Sequence, residues 1–230
     1  MASKGATRAV QTQEQKQKEL LKEIVKLKRK EKVRSELRSL AIFGGLLSAA
    51  VAGRVAMQWI PSVEPIIPFA VLAGLLFGVK EGFTLGGSAY IISNFFVWGI
   101  QGPWTIFQAL GAALAGLMAG VWGKMRSPGW KDIVLLSIAG TILYELIMDI
   151  SGSFMGIGLF GAFGLFTIPI YIATSLPFSA AHIGSNVIFA RALAPLLKLR
   201  RTENELKIVS VSKLVGGKPV NIRLYKSNEQ

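Results

Sequence analysis

The feature that constrains this chain most is the separation of its charged residues from a long apolar middle. Between residues 40 and 197 Lys and Arg are few, whereas both ends of the chain are rich in them. Half of all residues are apolar (51%), and the mean hydropathy is +0.47. A soluble domain needs charges spread over its surface, and this middle has no such water-facing complement. The pattern predicts an integral membrane protein.

Composition also excludes several functions. A net charge of +13 would suggest nucleic-acid binding in a soluble protein, but basic residues beside membrane spans are expected on the cytoplasmic side, so we expect no nucleic-acid partner. Without cysteine, disulfides, thiolate catalysis and Cys-ligated metals are excluded. No catalytic constellation or Walker motif is present, so we expect no enzyme, cofactor or metal site, and no ATP-driven transport by this chain alone.

Apolar segments separated by polar or Pro/Gly turns predict an all-α bundle of six transmembrane helices. The last of them begins with Pro177, because proline suits a first helical turn. The Gly-rich stretch 151–175 is too interrupted for an assignment from sequence, and an outer loop with a short interfacial or re-entrant helix is one interpretation of it. The predicted spans are residues 40–60, 66–77, 85–100, 105–122, 132–150 and 177–197.

The positions of the basic residues predict the orientation. Except for Arg54 and Arg191, all 26 Lys and Arg lie in the N-terminal arm, at Lys80, in the loop 124–131 or after residue 197. With an even number of spans these places share one side, so we expect a multi-pass protein of the cell membrane with both termini cytoplasmic. A charged segment of about forty residues precedes the first apolar run, so we expect an uncleaved anchor rather than a signal peptide.

Three regions follow from this pattern. Residues 1–38 form a basic cytoplasmic helix, which either lies on anionic headgroups of the bilayer or is solvated. Residues 39–199 form the six-helix membrane domain. Residues 200–230 form a cytoplasmic polar tail whose alternating pattern resembles a hairpin.

Ionisable residues inside the predicted spans are the candidates for function, because burying them in a membrane is costly. Glu145 and Asp149 lie four apart on one helix face, and His182 and Asn186 share another. With the other polar and Trp residues they lie in the same outer half of the bundle, as an outward-facing pocket for a polar small molecule requires. The remaining candidates are Arg54, Ser93, Asn94, Trp98, Gln101, Trp104 and Gln108.

Individual residues of this set could instead have purely structural roles. Arg54 could snorkel outward or neutralise Asp149. The tryptophans could form an interfacial belt, and His182 could pack against a neighbouring helix. Arg191 is expected near the cytoplasmic face, where snorkelling or a partner contact explains it better than ligand binding.

Small residues on the first span indicate close helix packing. Ala52 and Ala56 form a small-xxx-small pair, with Ala49 and Gly53 beside them. Such faces let helix backbones approach, because lipid gives no hydrophobic drive between helices. Internal packing and docking of another membrane protein are both consistent with this pattern.

Several motifs resemble the substrate-binding (S) components of energy-coupling factor transporters. They are GRVAMQWIPSVEPIIPFAVLAGLLFGVKEGFTLGG, SNFF, QGPWTIFQ and the LPFSAAH…N pattern, and the resemblance covers about residues 40–197. The resemblance implies a six-helix fold with both termini cytoplasmic. It also implies vitamin capture in an outward-facing pocket that is capped by the loops after the first, third and fifth helices.

The resemblance further implies partners and residue roles. An alanine-rich face of the first helix docks on a transmembrane coupling subunit driven by two ATPases, and Ala52 and Ala56 occupy the matching positions, with Ala49 and Gly53 alongside. The implied pocket residues are Arg54, Asn94, Trp98, Gln101, Trp104, Gln108, Asp149, His182 and Asn186.

The sequence thus favours a substrate-capture subunit of a vitamin or micronutrient importer. Alternatives are a self-sufficient proton- or ion-coupled carrier and a membrane scaffold whose basic arms recruit other factors. The charge of the ligand stays open, because Glu145 and Asp149 suit a cation whereas Arg54 suits a carboxylate or phosphate.

Overall fold

The computed structural model describes residues 2–97, 101–156 and 161–199, with side chains from Lys22 onward apart from Ile24 and residues 156–166. These residues form six α-helices and one short 3-10 helix and contain no strand, so the predicted all-helical class is confirmed. The helices are α1 (Ala2–Met57), α2 (Ile66–Phe77), α3 (Val79–Ser93), α4 (Trp104–Met125), α5 (Trp130–Gly156), α6 (Gly161–Leu193) and the 3-10 helix Ala194–Leu197.

Among the described residues, four helical stretches are long and apolar enough to cross a membrane. A further helix, Ile66–Phe77, is apolar but shorter. Several such stretches are unusual in a water-soluble domain, whereas a helix of about 20 apolar residues matches the thickness of a bilayer. The chain is therefore typical of a membrane-embedded protein. The four stretches are Val25–Met57, Trp104–Met125, Trp130–Met155 and Thr167–Leu197.

The sixth helix differs from the sequence-based prediction. It begins within the stretch for which an outer loop is one interpretation, so Pro177 lies inside α6 instead of in its first turn, as does Pro169. Prolines are tolerated inside membrane helices because neighbouring groups, including Ser and Thr side chains, satisfy the backbone that a proline leaves free. The sequence left the fold of 151–175 open, and the described part of this stretch is helical.

α1 begins at Ala2 and so includes the described part of the N-terminal arm. Residues Met1–Ser39 and Leu40–Arg201 belong to separate compact units. In the first unit Lys32 and Glu36 form an exposed ion pair of 3.9 Å one helical turn apart. The hairpin predicted in the tail lies outside the described residues.

The short helix α2 forms the centre of the second unit. It contacts α3, α4, α5 and α6, and residues such as Ile67, Ala70 and Leu72 are fully buried. A helix that is apolar on every side must be enclosed by protein or lipid. Enclosure by its neighbours explains why α2 needs no polar face.

Glycine allows α3 and α4 to pack with their backbones in contact. A Cβ added at Gly82 would overlap the carbonyl oxygen of Gly116, and one added at Gly116 would overlap that of Gly82. Gly86 lies in the same way against the Ala112 carbonyl. Such approach is the usual means by which membrane helices gain packing energy.

The second unit has an apolar outside and a partly polar inside. Its exposed side chains include Ile106, Leu135 and Ile188, each more than 60% exposed. Its buried side chains include polar and charged groups at one end of the bundle. This distribution is expected for a bundle surrounded by lipid acyl chains, because polar side chains are then more stable in the interior than on the outside.

Candidate functional site

A set of hydrogen-bonded polar side chains lies inside the second unit, where α1 and α3 end and α4 begins. Its members come from α1, α3, α4, α5 and α6 and from the loops that follow α1 and α3. Buried polar groups need such partners, because an unsatisfied group away from water is costly. This polar cluster consists of Arg54, Glu64, Tyr90, Ser93, Asn94, Gln101, Thr105, Gln108, Glu145, Asp149, Ser175, Ser179 and His182.

Arg54 connects α1 to α3 and to the loop after α1. It is 5% exposed, and its Nε forms a 2.6 Å ion pair with Glu64 Oε2. Its Nη1 donates to Ser93 Oγ at 2.7 Å and to Asn94 Oδ1 at 2.5 Å. Its guanidinium carbon lies 4.6 Å from the centre of the Tyr90 ring. Glu64 therefore neutralises Arg54, and Asp149 does not take that role.

The loop that carries Glu64 is held by contacts to two helices. A Cβ added at Gly53 would lie 2.6 Å from Pro65 Cγ, so the absence of a side chain on α1 makes room for the proline. Ser185 Oγ on α6 donates to the carbonyl oxygen of Ser62 at 3.3 Å. Ser62 has a φ of 58°, which is uncommon for a residue with a side chain. These contacts position Glu64 beside Arg54.

Asn94 extends the cluster from α3 to α4. Its Nδ2 donates to Thr105 Oγ1 and to Gln108 Oε1, both at 2.8 Å. Gln108 Nε2 in turn donates to Gln101 Oε1 at 3.0 Å. Since Asn94 also accepts from Arg54, a chain of hydrogen bonds extends from α1 to the loop before α4.

The acidic part of the cluster lies between α5 and α6. Glu145 Oε1 is 2.6 Å from His182 Nδ1, and Ser179 Oγ donates to Glu145 Oε2 at 3.1 Å. One turn further along α5, Asp149 Oδ2 accepts from Ser175 Oγ at 3.0 Å. Both carboxylates thus receive hydrogen bonds from α6.

Aromatic rings join the two parts of the cluster. The rings of Tyr90 and Tyr144 are stacked with centroids 5.4 Å apart, and Tyr144 meets His182 edge to face at the same distance. The Tyr90 hydroxyl donates to Glu64 Oε1. His182 Nε2 is 3.7 Å from that same oxygen, so Glu64 and Glu145 lie on two sides of one imidazole.

Most of the residues predicted for the site meet in this cluster. Asn186 lies deeper and donates to Thr141 Oγ1 at 2.8 Å, apart from the cluster. Trp104 lies near α5, because a Cβ added at Gly152 would be 3.2 Å from its ring. Trp98 lies outside the described residues. The residues that the structure brings together are Arg54, Ser93, Asn94, Gln101, Gln108, Glu145, Asp149 and His182.

Sequence reasoning missed several members of the site. Glu64 is the most important, because it lies in a loop and therefore outside the predicted spans. An acid ten residues after a buried arginine, in a proline-punctuated loop, could have drawn attention to it. Tyr90, one turn before Asn94, could have been found from its helical spacing. The other missed residues are Tyr144, Thr105, Ser175 and Ser179.

The predicted docking residues of α1 do not share one environment. Ala49, Ala52 and Ala56 are exposed on the outside of the bundle. Gly53 instead faces Pro65 inside it. Docking of a partner on the alanine face stays a prediction.

Within the part of the chain that the structure describes, no group of three or more His, Cys, Asp or Glu side chains has the arrangement of a metal site. Comparison with protein-family models, with curated proteins and with solved structures gives no match to this chain. The resemblance to transporter S components therefore stays a prediction from the motifs.

Proposed function

We propose that this chain is the membrane-embedded substrate-capture subunit of an energy-coupling-factor-type importer for a vitamin or related micronutrient. In this proposal it has six spans in the cell membrane with both termini cytoplasmic, and it binds its ligand in an outward-facing pocket. It docks through α1 on a transmembrane coupling subunit that two ATPases drive. It performs no chemistry of its own.

The observation that carries the proposal is a polar cluster buried in a bundle whose outside is apolar. A polar group without a function would be expected to face solvent or to have one partner, whereas here thirteen polar side chains from five helices and two loops lie together. Arg54 lies in the last turn of α1, and Asn94 directly follows α3. A cluster beside the loops after α1 and α3 is consistent with the pocket that the sequence resemblance implies.

The basic residues support the proposed orientation. Lys80 lies in the first turn of α3, Lys124 in the last turn of α4 and Lys131 in the first turn of α5. These helix ends are opposite to those that carry the cluster. By the positive-inside tendency, the basic end faces the cytoplasm and the cluster faces outward.

Ligand binding and coupled uptake test the proposal. We expect one vitamin in a broad panel to raise the thermal unfolding midpoint of the purified chain, since a ligand that binds only the folded state stabilises it. Gln108→Ala should weaken the binding of that ligand about 5- to 10-fold, because it removes hydrogen bonds of the polar cluster that are worth about 1 kcal/mol each. Ile106→Ala on the same helix is the matched control, because Ile106 is 68% exposed on the outside.

Uptake distinguishes the proposed role from autonomous transport. In proteoliposomes we expect uptake of the stabilising vitamin only when the coupling subunit and both ATPases are present with ATP. If no vitamin stabilises the chain, or if both variants bind as the wild type does, the cluster is not a capture site.

A second candidate, a proton- or ion-coupled carrier, is favoured by one observation. Polar residues occur at every fourth position of α5, from 137 to 153, along its contact with α6. Along this contact Asn186 Nδ2 donates to Thr141 Oγ1, and His182 Nδ1 lies within hydrogen-bonding distance of Glu145 Oε1. Ser153 Oγ lies 2.6 Å from Thr167 Oγ1. Such a series could relay protons. Uptake driven by a pH gradient, with no ATPase present, would support this candidate over the first.

A further inference from the structure

The charges of the polar cluster indicate which ligand it takes. Its described members include three carboxylates, on Glu64, Glu145 and Asp149, but one guanidinium, on Arg54. His182 adds at most one positive charge. With the carboxylates ionised, the cluster has an excess of negative charge for either state of the histidine.

Arg54 already has protein partners for its charge. Glu64 neutralises it at 2.6 Å, Ser93 and Asn94 accept from the same guanidinium, and Tyr90 covers one face. An anionic ligand would have to displace Glu64 and bury that carboxylate without its partner. Breaking a buried pair in this way is strongly unfavourable, so Arg54 is a poor receptor for a carboxylate or phosphate.

Asp149 has no such partner, and the partner of Glu145 is His182, at 2.6 Å, which carries a positive charge only when it is protonated. Among the described side chains, Glu145 is bonded by Ser179 and His182, and Asp149 by Ser175. Neither contacts a lysine or an arginine there. Hydroxyl groups satisfy carboxylate oxygens but carry no charge, so a positive charge at this position would be stabilised.

A second feature of the cluster is an open hydrogen-bonding position on His182. The residue is 3% exposed, and its Nε2 has no hydrogen-bond partner among the described groups. This atom lies within the cluster, 3.7 Å from Glu64 Oε1. A nitrogen buried so completely is normally satisfied, which indicates that a bound molecule completes its bonding.

We infer that the cluster binds an organic cation, with its positive nitrogen beside Glu145 and Asp149 and a polar group against His182 Nε2. This inference rests on the proposed capture function and assigns the ligand's chemical class. Glu145 and Asp149 are the groups that determine specificity for charge, and Arg54 positions Glu64 and Asn94.

A retention experiment with probes of opposite charge tests the inference. The purified full chain is incubated with an equimolar mixture of three cations (thiamine, choline and 1-methylnicotinamide) and three anions (biotin, pantothenate and nicotinate). Free and bound molecules are separated by desalting and identified by mass spectrometry. We expect retention of at least one cation and of no anion.

Conservative variants locate the charge contact. Glu145→Gln and Asp149→Asn keep the shape of each side chain but remove its charge. Each should therefore weaken the binding of the retained cation at least about 10-fold. Glu81→Gln is the matched control, because Glu81 lies in the first turn of α3, away from the cluster. Gel filtration and circular dichroism verify that each variant is folded.

The outcomes separate the inference from the function on which it rests. Retention of an anion, or undiminished cation binding by both folded variants, overturns the cationic class but leaves the capture function standing. Retention of none of the six probes overturns the inference as well. The vitamin panel and the partner-dependent uptake assay then decide the capture function independently.

Discussion

At the scale of single residues, the central feature is an arginine that is fully paired inside an apolar bundle. A buried charge is tolerated only where a counter-charge and hydrogen bonds replace its water. Glu64, Ser93 and Asn94 supply them for Arg54. Arg54 therefore connects α1, α3 and the loop after α1. Glu145 and Asp149 on α5 are not needed to neutralise it.

Replacing this arginine should destabilise the protein strongly. Arg54→Met leaves Glu64 buried without its partner, and we expect a loss of about 3–5 kcal/mol in the free energy of unfolding. The double variant Arg54→Met/Glu64→Gln should recover much of that loss, because no unpaired charge remains. Denaturant unfolding in detergent micelles measures both. A single variant as stable as the wild type would contradict the assigned ion pair.

At the scale of the helices, close backbone contact replaces the hydrophobic effect. α3 and α4 approach at Gly82, Gly86 and Gly116, where a side chain would overlap a backbone carbonyl. Lipid is as apolar as the helix faces, so dense packing provides much of the attraction between them. This contact brings Asn94 at the end of α3 to Gln108 on α4.

Two alanine substitutions on α3 should therefore differ sharply. At Gly82 an added Cβ would overlap the Gly116 backbone, and we expect a loss of about 1–3 kcal/mol as the helices separate. At Gly87 the added Cβ would be 3.6 Å from Ala113 Cβ, an ordinary contact, so Gly87→Ala should be neutral or slightly stabilising. Thermal unfolding midpoints test the pair, and equal effects would argue against the glycine contact.

At the scale of the whole molecule, one end of the second unit carries the polar cluster and the other end carries basic residues. Lys80, Lys124 and Lys131 lie at the basic end. The proposed orientation therefore places the cluster toward the exterior and this end toward the cytoplasm.

The chain has no cysteine, so single introduced thiols can report the topology directly. Trp59→Cys, at a position 71% exposed after α1, should react with an impermeant maleimide added to intact cells. Ser127→Cys in the loop between α4 and α5 and Ser227→Cys in the tail should react only after permeabilisation. Labelling of Ser227→Cys but not of Ser127→Cys in intact cells would refute the even number of spans, and labelling of both would refute the orientation.

The sequence by itself predicted the helical class of the described residues and the apolar helices typical of a membrane protein, and it identified most of the charged members of the candidate site. Hydropathy and charge are properties of short segments, so they can be read without knowing what each segment contacts. They also placed polar residues such as Asn94, Gln108 and Glu145 at similar depth, which predicted that these residues would meet.

Only the tertiary structure decided which charges pair and how the last helix runs. Arg54 could have met Asp149 or Glu64, and the choice depends on how the loop held by Pro65 and Ser185 folds back onto α1. α6 continues through two prolines, a continuation that membrane helices tolerate and that local propensity does not predict. Pairing between distant residues is set by the packing of whole helices, and for that reason the charge left for a ligand became visible only in three dimensions.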